Sequence, residues 1–460
     1  MIAMTLAEVA AAVGAQVPHD ADGASEVTGV SIDSRTAGPG DVFFALVGER
    51  VDGHDYVGAA LDRGAVAVVV ERATGVRALV VSDVLRALSE LAAAWRGRLS
   101  PEAVVGLTGS VGKTSTKDLI ATVLETQGST IATQGSFNNE IGLPLTLLRA
   151  DPSTRFLVAE MGARGPGHVA ALCATARPDV GLVLNVGTAH LGEFGTREAI
   201  AAAKQELVIA LPPEGTAVLN IADPLVAAMA SETQARVFTF GAPGADVTAR
   251  DLAVVDGRSS FVIDHAGRSA AVSMQLVGLH QVDNALAAAA VALVLGLDLE
   301  QIATALSAAT ARSKWRMELF ERPDGVTVLN DAYNASPESM RAALRALASL
   351  GDQGARRTWA VLGNMAELGD TADEIHYEIG RLAIDLDVSR LVVIGERAAG
   401  IHAGAMSVRI DGRGIALVAD LDAAFELLAD ELGEGDVVLV KGSRAAGLER
   451  LAALLCRDSA

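Results

Sequence analysis

Residues 106–116 run Gly106-Leu107-Thr108-Gly109-Ser110-Val111-Gly112-Lys113-Thr114-Ser115-Thr116, between an apolar segment and an amphipathic one. That order of glycines, hydroxyls and a single lysine suits phosphate. Glycines let successive backbone N–H groups curl around phosphate oxygens, and the N-terminus of the following helix adds partial positive charge. Lys113 is then placed to bridge the β- and γ-phosphates of a nucleotide, and the Thr114 hydroxyl to take a magnesium position. Leu107 stands where the strict Walker spacing has its first glycine. A shorter Thr-Gly-x-x-Gly-Lys-Thr loop remains, with the same chemistry.

A mononucleotide loop alone fits a hydrolase, a kinase or a regulatory switch, so the accompanying acids and imidazoles decide. Glu160 follows a strand expected over 156–159, at the carboxyl end where parallel sheets assemble ligand sites, and is a candidate magnesium ligand. His190 closes the run Asn185-Val186-Gly187-Thr188-Ala189-His190, in a glycine-containing loop after another buried strand. Lys204 falls in a helical stretch of Ala, Gln and Glu, where spacing alone makes it an ordinary solvated lysine.

The elements that must position these groups are legible in outline. At 460 residues the chain exceeds one ordinary core, and three domains are expected, over 1–99, 100–312 and 313–460. Half of the residues are hydrophobic and only 3% aromatic, a balance that suits helices alternating with Val-rich strands in α/β units. A helix over 84–98 leads through Ser100-Pro101 into a strand over 104–107, then a helix over 117–125 and further buried strands over 156–159 and 180–185. Ala-rich helices are expected across 282–309. Strands over 326–330, 359–362, 391–394 and 437–440, with a helix over 337–347, make a last α/β unit. The buried strands over 156–159 and 180–185, alternating with helical stretches, give the pattern of parallel strands with crossover helices.

A formal charge of −20 argues against a nucleic-acid surface, so any anionic ligand must meet local cations or a metal. Cys173 and Cys456 have no ligand-like spacing and fit a reducing, cytoplasmic compartment without disulfides. Residues 1–17 lack a basic start and carry Glu8, the pattern of an ordinary first helix. The longest apolar run, 285–297, is shorter than the roughly 18 residues a membrane span needs, so no membrane insertion is expected.

These segments together resemble the Mur ligase family of peptidoglycan precursor synthesis, across nearly the whole chain. Ser31-Ile32-Asp33-Ser34-Arg35 and the stretch from Gly40 to His54 are similar to the family's uridine-nucleotide-binding region, which implies a substrate contact for Ser34 and Arg35. The loop from Thr108 to Ser115 resembles the family's ATP loop, which accounts for the missing glycine. The resemblance further implies that Asn138 and Asn139 line the reaction centre, that Thr114, Glu160 and His190 serve Mg2+, and that Lys204 carries a carbamate. A carbamate turns a cation into an anionic metal ligand; Gln205 stands where the family more usually has glycine. His280 and Asn284 resemble the adenine-contacting segment, Arg316 the arginine that reaches the ATP phosphates, and Asp331 the ribose-contacting segment.

Residues 362–369, His376 and Val440-Lys441-Gly442-Ser443-Arg444 are most similar to the branch that joins D-alanyl-D-alanine to UDP-N-acetylmuramoyl-tripeptide, with Lys441 and Ser443 as substrate contacts. The Asp-Asn-Pro-Arg motif of the neighbouring branch, which adds the third amino acid, is absent. The implied fold is α/β in three domains: an N-terminal uridine-nucleotide-binding domain, a central P-loop parallel sheet and a C-terminal Rossmann-like domain. The implied catalytic set is Lys113, Asn138, His190 and Lys204, acting in a monomer through an acyl phosphate. Two other readings stand beside it. One is a sibling ligase adding a single amino acid to a shorter nucleotide-peptide or to a folate, and the other a nucleotide-gated regulatory protein on a degenerate ligase scaffold.

Overall fold

Six short apolar runs pair side by side in the middle of the chain as a fully parallel sheet. Their order is Arg236–Phe240, Thr216–Asn220, Val180–Val183, Ala103–Thr108, Phe156–Glu160 and Thr130–Ala132. Every residue of Ala103–Thr108 and Phe156–Glu160 is buried, because helices cover both faces of the sheet. The earliest of these strands in sequence, Ala103–Thr108, lies between Val180–Val183 and Phe156–Glu160, so the order reverses around it. That reversal opens a crevice at the carboxyl ends of the strands, where such sheets collect ligands. The computed structural model describes residues 3–48, 50–74, 76–189, 191–351 and 355–456.

On the N-terminal side, Gly29–Ser31, Asp41–Phe44, Ala67–Val70 and Ala78–Val80 form a four-stranded parallel sheet in sequence order. The helix Val84–Arg96 then packs its Leu88, Leu91 and Trp95 into one apolar cluster with Leu143 and Leu147 of the central unit. The first and second units therefore share a continuous core. On the C-terminal side the sheet order is Glu318–Glu321, Thr327–Asn330, Val437–Lys441, Thr358–Leu362, Arg390–Ile394 and Ile415–Val418, parallel except for its first pair.

Most expected elements are present, displaced by a few residues at their ends. The helix expected over 117–125 begins four residues earlier, as Lys113–Glu125. The Ala-rich stretch divides into Gln281–Val294 and Leu299–Ala308, with Gly296 at φ 84° between them. One region lies outside the expected elements. Residues 248–277 do not continue the parallel pattern but fold as an antiparallel meander of Thr248–Val255, Arg258–His265 and Arg268–Val277. Both of its turns have two residues at positive φ, Asp256-Gly257 and Ala266-Gly267, the geometry that matches strand twist in tight hairpins. The buried face of the meander, with Phe261, Ile263, Val272 and Met274, packs on the helix Gln281–Val294 in the core behind the phosphate-loop helix.

Candidate active site

Strand Ala103–Thr108 delivers the glycine loop directly to the start of helix Lys113–Glu125. Gly112 sits at φ 83°, and a Cβ there would lie 2.6 Å from Asn284 Oδ1, so backbone conformation and packing both require glycine. Asn185 shapes the loop: its Oδ1 accepts from the Ser110 and Val111 N–H groups at 3.0 Å each, and its Nδ2 donates to Val111 O at 3.1 Å. Gly187 N–H donates to Ser110 Oγ at 2.8 Å, and Thr108 Oγ1 donates to Met161 O at 2.8 Å. The Lys113 ammonium lies in the curl of the loop, donating to Gly109 O at 2.7 Å and Ser110 O at 3.3 Å.

Beside it, at the end of the neighbouring strand, Glu160 is buried. Its Oε1 accepts from Asn138 Nδ2 at 2.7 Å, whereas its Oε2 is buried with no hydrogen-bond partner among the described residues. An orphaned carboxylate oxygen inside a protein is costly and marks a place where a cation would fit. Burial pulls the Lys113 ammonium below its usual value; the Glu160 charge acts against that and the Arg316 charge adds to it. Lys204, buried on the helix Arg197–Ile209, is pushed down to about 7, first by burial and then by the Lys113 charge. A buried lysine in that range is a neutral nucleophile for part of the population at neutral pH. Among the described residues, no three His, Cys, Asp or Glu side chains gather as a metal cluster. His190 lies outside the described residues.

The third unit reaches into this crevice. Arg316 Nη2 donates to Ser136 Oγ at 2.7 Å and to Thr114 Oγ1 at 3.2 Å, and those two hydroxyls lie 3.0 Å apart. Its guanidinium lies 4.0 Å from the Tyr333 ring centroid; Trp315 stacks on Tyr333, and the Arg444 guanidinium lies over the Trp315 ring at 4.5 Å from its centroid. Asp331 Oδ1 accepts from Met317 N–H at 3.1 Å, and Asp331 Oδ2 pairs with the buried Lys441 at 2.5 Å. Lys441 also donates to Asn334 O at 2.9 Å. His280 feels both charges of that pair, and burial pulls its imidazole below the usual range.

The remaining expected residues divide. Asn284 Oδ1 accepts from Thr116 Oγ1 at 3.1 Å and so braces the phosphate-loop helix, and Ser115 lies on that helix's first turn. Asn139 Oδ1 accepts from Gly142 N–H at 3.0 Å, a local cap for the helix Gly142–Leu148. Ser443 is buried, its Oγ without a partner among the described residues. Ser34 and Arg35 stay on a turn of the N-terminal unit, where Arg35 is exposed and forks onto Asp33 at 2.6–3.1 Å. Asp33 is held down at about 2 by that arginine. His376 has a packing role: it accepts from Met365 N–H at 2.9 Å and pins the loop after strand Thr358–Leu362. Sequence reasoning passed over Asn185 and Tyr333 as actors. An asparagine at a buried strand's carboxyl end, one crossover from a glycine loop, was the available signal for the first. Nothing local announces the second.

The arrangement gathers a glycine loop, Lys113 and Arg316, groups able to neutralise a polyanion, next to a carboxylate that can take a cation. The Mur ligase middle-domain model matches residues 107–292, the glutamate ligase domain model 315–444 and the Mur ligase catalytic-domain model 26–96. The UDP-N-acetylmuramoyl-tripeptide–D-alanyl-D-alanine ligase of Mycobacterium tuberculosis (strain H37Rv) is 47% identical, over 100% of this chain and 98% of its own. A crystal structure of MurF from Acinetobacter baumannii superposes with a TM-score of 0.88 at 31% identity, covering 99% of each chain. MurF ligase from Thermotoga maritima in complex with ADP gives 0.81 at 32% identity, covering 92% of this chain and 96% of that one.

Proposed function

The chain belongs to the Mur ligase family, and from that premise we propose that it joins D-alanyl-D-alanine to UDP-N-acetylmuramoyl-tripeptide, through an acyl phosphate, in peptidoglycan precursor synthesis. It is an ATP-dependent ligase with three α/β units. The observation that carries the reading is Lys113, whose ammonium lies in the curl of the glycine loop at the sheet's switch point, with the Glu160 and Arg316 charges acting on it.

A carboxylate must attack a triphosphate of like charge, so the residues have to neutralise and align two anions before either can react. The loop amides and Lys113 take the β- and γ-phosphates. Arg316, held flat on Tyr333, comes in from the third unit toward Thr114. Asn138, tied to Glu160, faces the side where the peptide carboxylate enters. The partnerless Glu160 oxygen and the Thr114 hydroxyl suit a small hard cation, and Mg2+ would be held there with His190 and, once carbamylated, Lys204. Bound Mg2+ supplies charge neutralisation of the phosphate oxygens.

His280, Asn284 and Asp331 are assigned to the nucleoside, Ser34 and Arg35 to the uridine end, and Lys441 and Ser443 to the peptide side. In this reading residues 1–99 hold the uridine nucleotide, 100–312 the ATP and 313–460 close over both. No helix among the described residues is long and apolar enough to cross a membrane. The protein is placed by this proposal in the cytoplasm, as a monomer. The test is a substrate panel with ATP, Mg2+ and tripeptide nucleotide, in which phosphate release should depend on D-alanyl-D-alanine. Release driven equally by a free amino acid overturns the reading.

A further inference from the structure

The Gly187-Thr188 turn and, further along the chain, Gly192 are each gripped by the third unit. Glu338, in the first turn of the helix Pro337–Leu350, takes hydrogen bonds on Oε1 from Thr188 N–H at 2.7 Å and Thr188 Oγ1 at 2.8 Å. Gly192 N–H donates to Glu367 O at 3.1 Å. Both glycines are required by these approaches. A Cβ on Gly187 would fall 2.8 Å from Glu338 Oε1 and 2.9 Å from its Cδ, and a Cβ on Gly192 2.9 Å from Gly369 N.

The turn is also wired to the phosphate loop. Gly187 N–H donates to Ser110 Oγ, and the Ser110 N–H is held by Asn185 Oδ1 at 3.0 Å. Glu338 thus sits two hydrogen bonds from the backbone that would cradle phosphate. Its other oxygen, Oε2, is buried with no hydrogen-bond partner among the described residues, so docking desolvates a carboxylate and satisfies only half of it. Such a contact holds only when the turn presents both Thr188 donors correctly, and it releases readily when the turn does not.

We propose that Glu338 is a positioning residue that couples docking of the third unit to the shape of the phosphate loop, acting through the Gly187-Thr188 turn. The inference rests on the ligase reading above, and the two fail separately. Wild-type protein that never releases phosphate in the complete substrate mixture sinks the ligase reading. Given wild-type turnover, the coupling is tested with the full-length chain by phosphate release and by ATP binding measured calorimetrically.

Glu338→Ala should lower kcat by about tenfold or more with the ATP dissociation constant within about twofold, because the loop still binds nucleotide with the third unit undocked. Glu338→Gln keeps an oxygen for both Thr188 donors and should return to within about threefold of wild type. Gly187→Ala should lower kcat comparably in the wild-type background, yet by less than about twofold when added to Glu338→Ala, since the added methyl then has no carboxylate to strike. A kcat for Glu338→Ala within twofold of wild type overturns the proposal. So does a Gln variant no better than Ala, or a multiplicative loss in the double variant.

Discussion

Lys113 stands between one carboxylate and two further cations in a chain whose formal charge is −20. The local excess of positive charge, not the global balance, decides what the crevice binds. Truncating Lys113 to alanine leaves the helix and its packing intact and removes one preorganised donor, a loss on the order of 3 kcal/mol, or about two orders of magnitude in turnover. Circular dichroism should be unchanged while phosphate release falls; turnover near wild type would remove Lys113 from the mechanism. Lys204 carries the second prediction. With its pKa lowered from 10.5 to about 7 by burial and the Lys113 charge, the amine is protonated below that value and increasingly neutral above it. Carbamate formation needs the neutral amine. Under 13C-bicarbonate, the carbamate resonance should therefore rise through pH 6–8 with a midpoint near 7, and be missing in Lys204→Arg. The same shift makes the unfolded chain the stronger proton binder between 7 and 10.5, so this group's contribution to stability increases with pH across that window.

Elements were legible wherever local chemistry dictated them. Ser336 before Pro337 announces a helix start, and there the Ser336 hydroxyl accepts from Ser339 N–H in a reciprocal cap. The buried runs around Val104, Val158 and Leu182 read as parallel strands because both faces are covered and the sequence is apolar without alternation. The meander was legible too and was missed: Asp256-Gly257 is a strong hairpin signal, and the strand after the second turn alternates buried and exposed residues. The second turn is informative because Ala266, unlike Asp256, has no side chain suited to its φ of 50°. An L-residue there carries strain that asparagine tolerates better. Ala266→Asn should raise the unfolding midpoint, by about 0.5–1 kcal/mol of stability, with unchanged ligation rate. A lower midpoint would mean that the turn is not of the tight hairpin kind.

Contacts across the whole molecule were the part no local pattern could supply. Arg316 meets Thr114 across 202 positions of sequence and Ser136 across 180, and only the packed fold brings them together. The linker is anchored unevenly. Arg312 forks onto Glu125 at 2.8 and 2.9 Å, fixing it to the phosphate-loop helix, whereas Trp315 and Met317, either side of Arg316, take positive φ of 61° and 50°. Strained non-glycine backbone just past an anchored residue is where rotation of the third unit would be absorbed, which puts the pivot at Trp315 to Met317. Across the crevice the third unit is held by polar contacts among the described residues: Arg316 on two hydroxyls, Glu338 on Thr188, and Glu367 O on Gly192, while Val277 of the meander joins its apolar cluster further off. Polar contacts that exchange readily with water suit a reversible closure. Small-angle scattering should therefore show a smaller radius of gyration when a non-hydrolysable ATP analogue and tripeptide nucleotide are both bound. Arg316→Ala should lose most of that compaction together with about a hundredfold in kcat. Equal compaction in the variant would assign Arg316 to phosphate alone and leave closure to the contacts on Thr188 and Gly192.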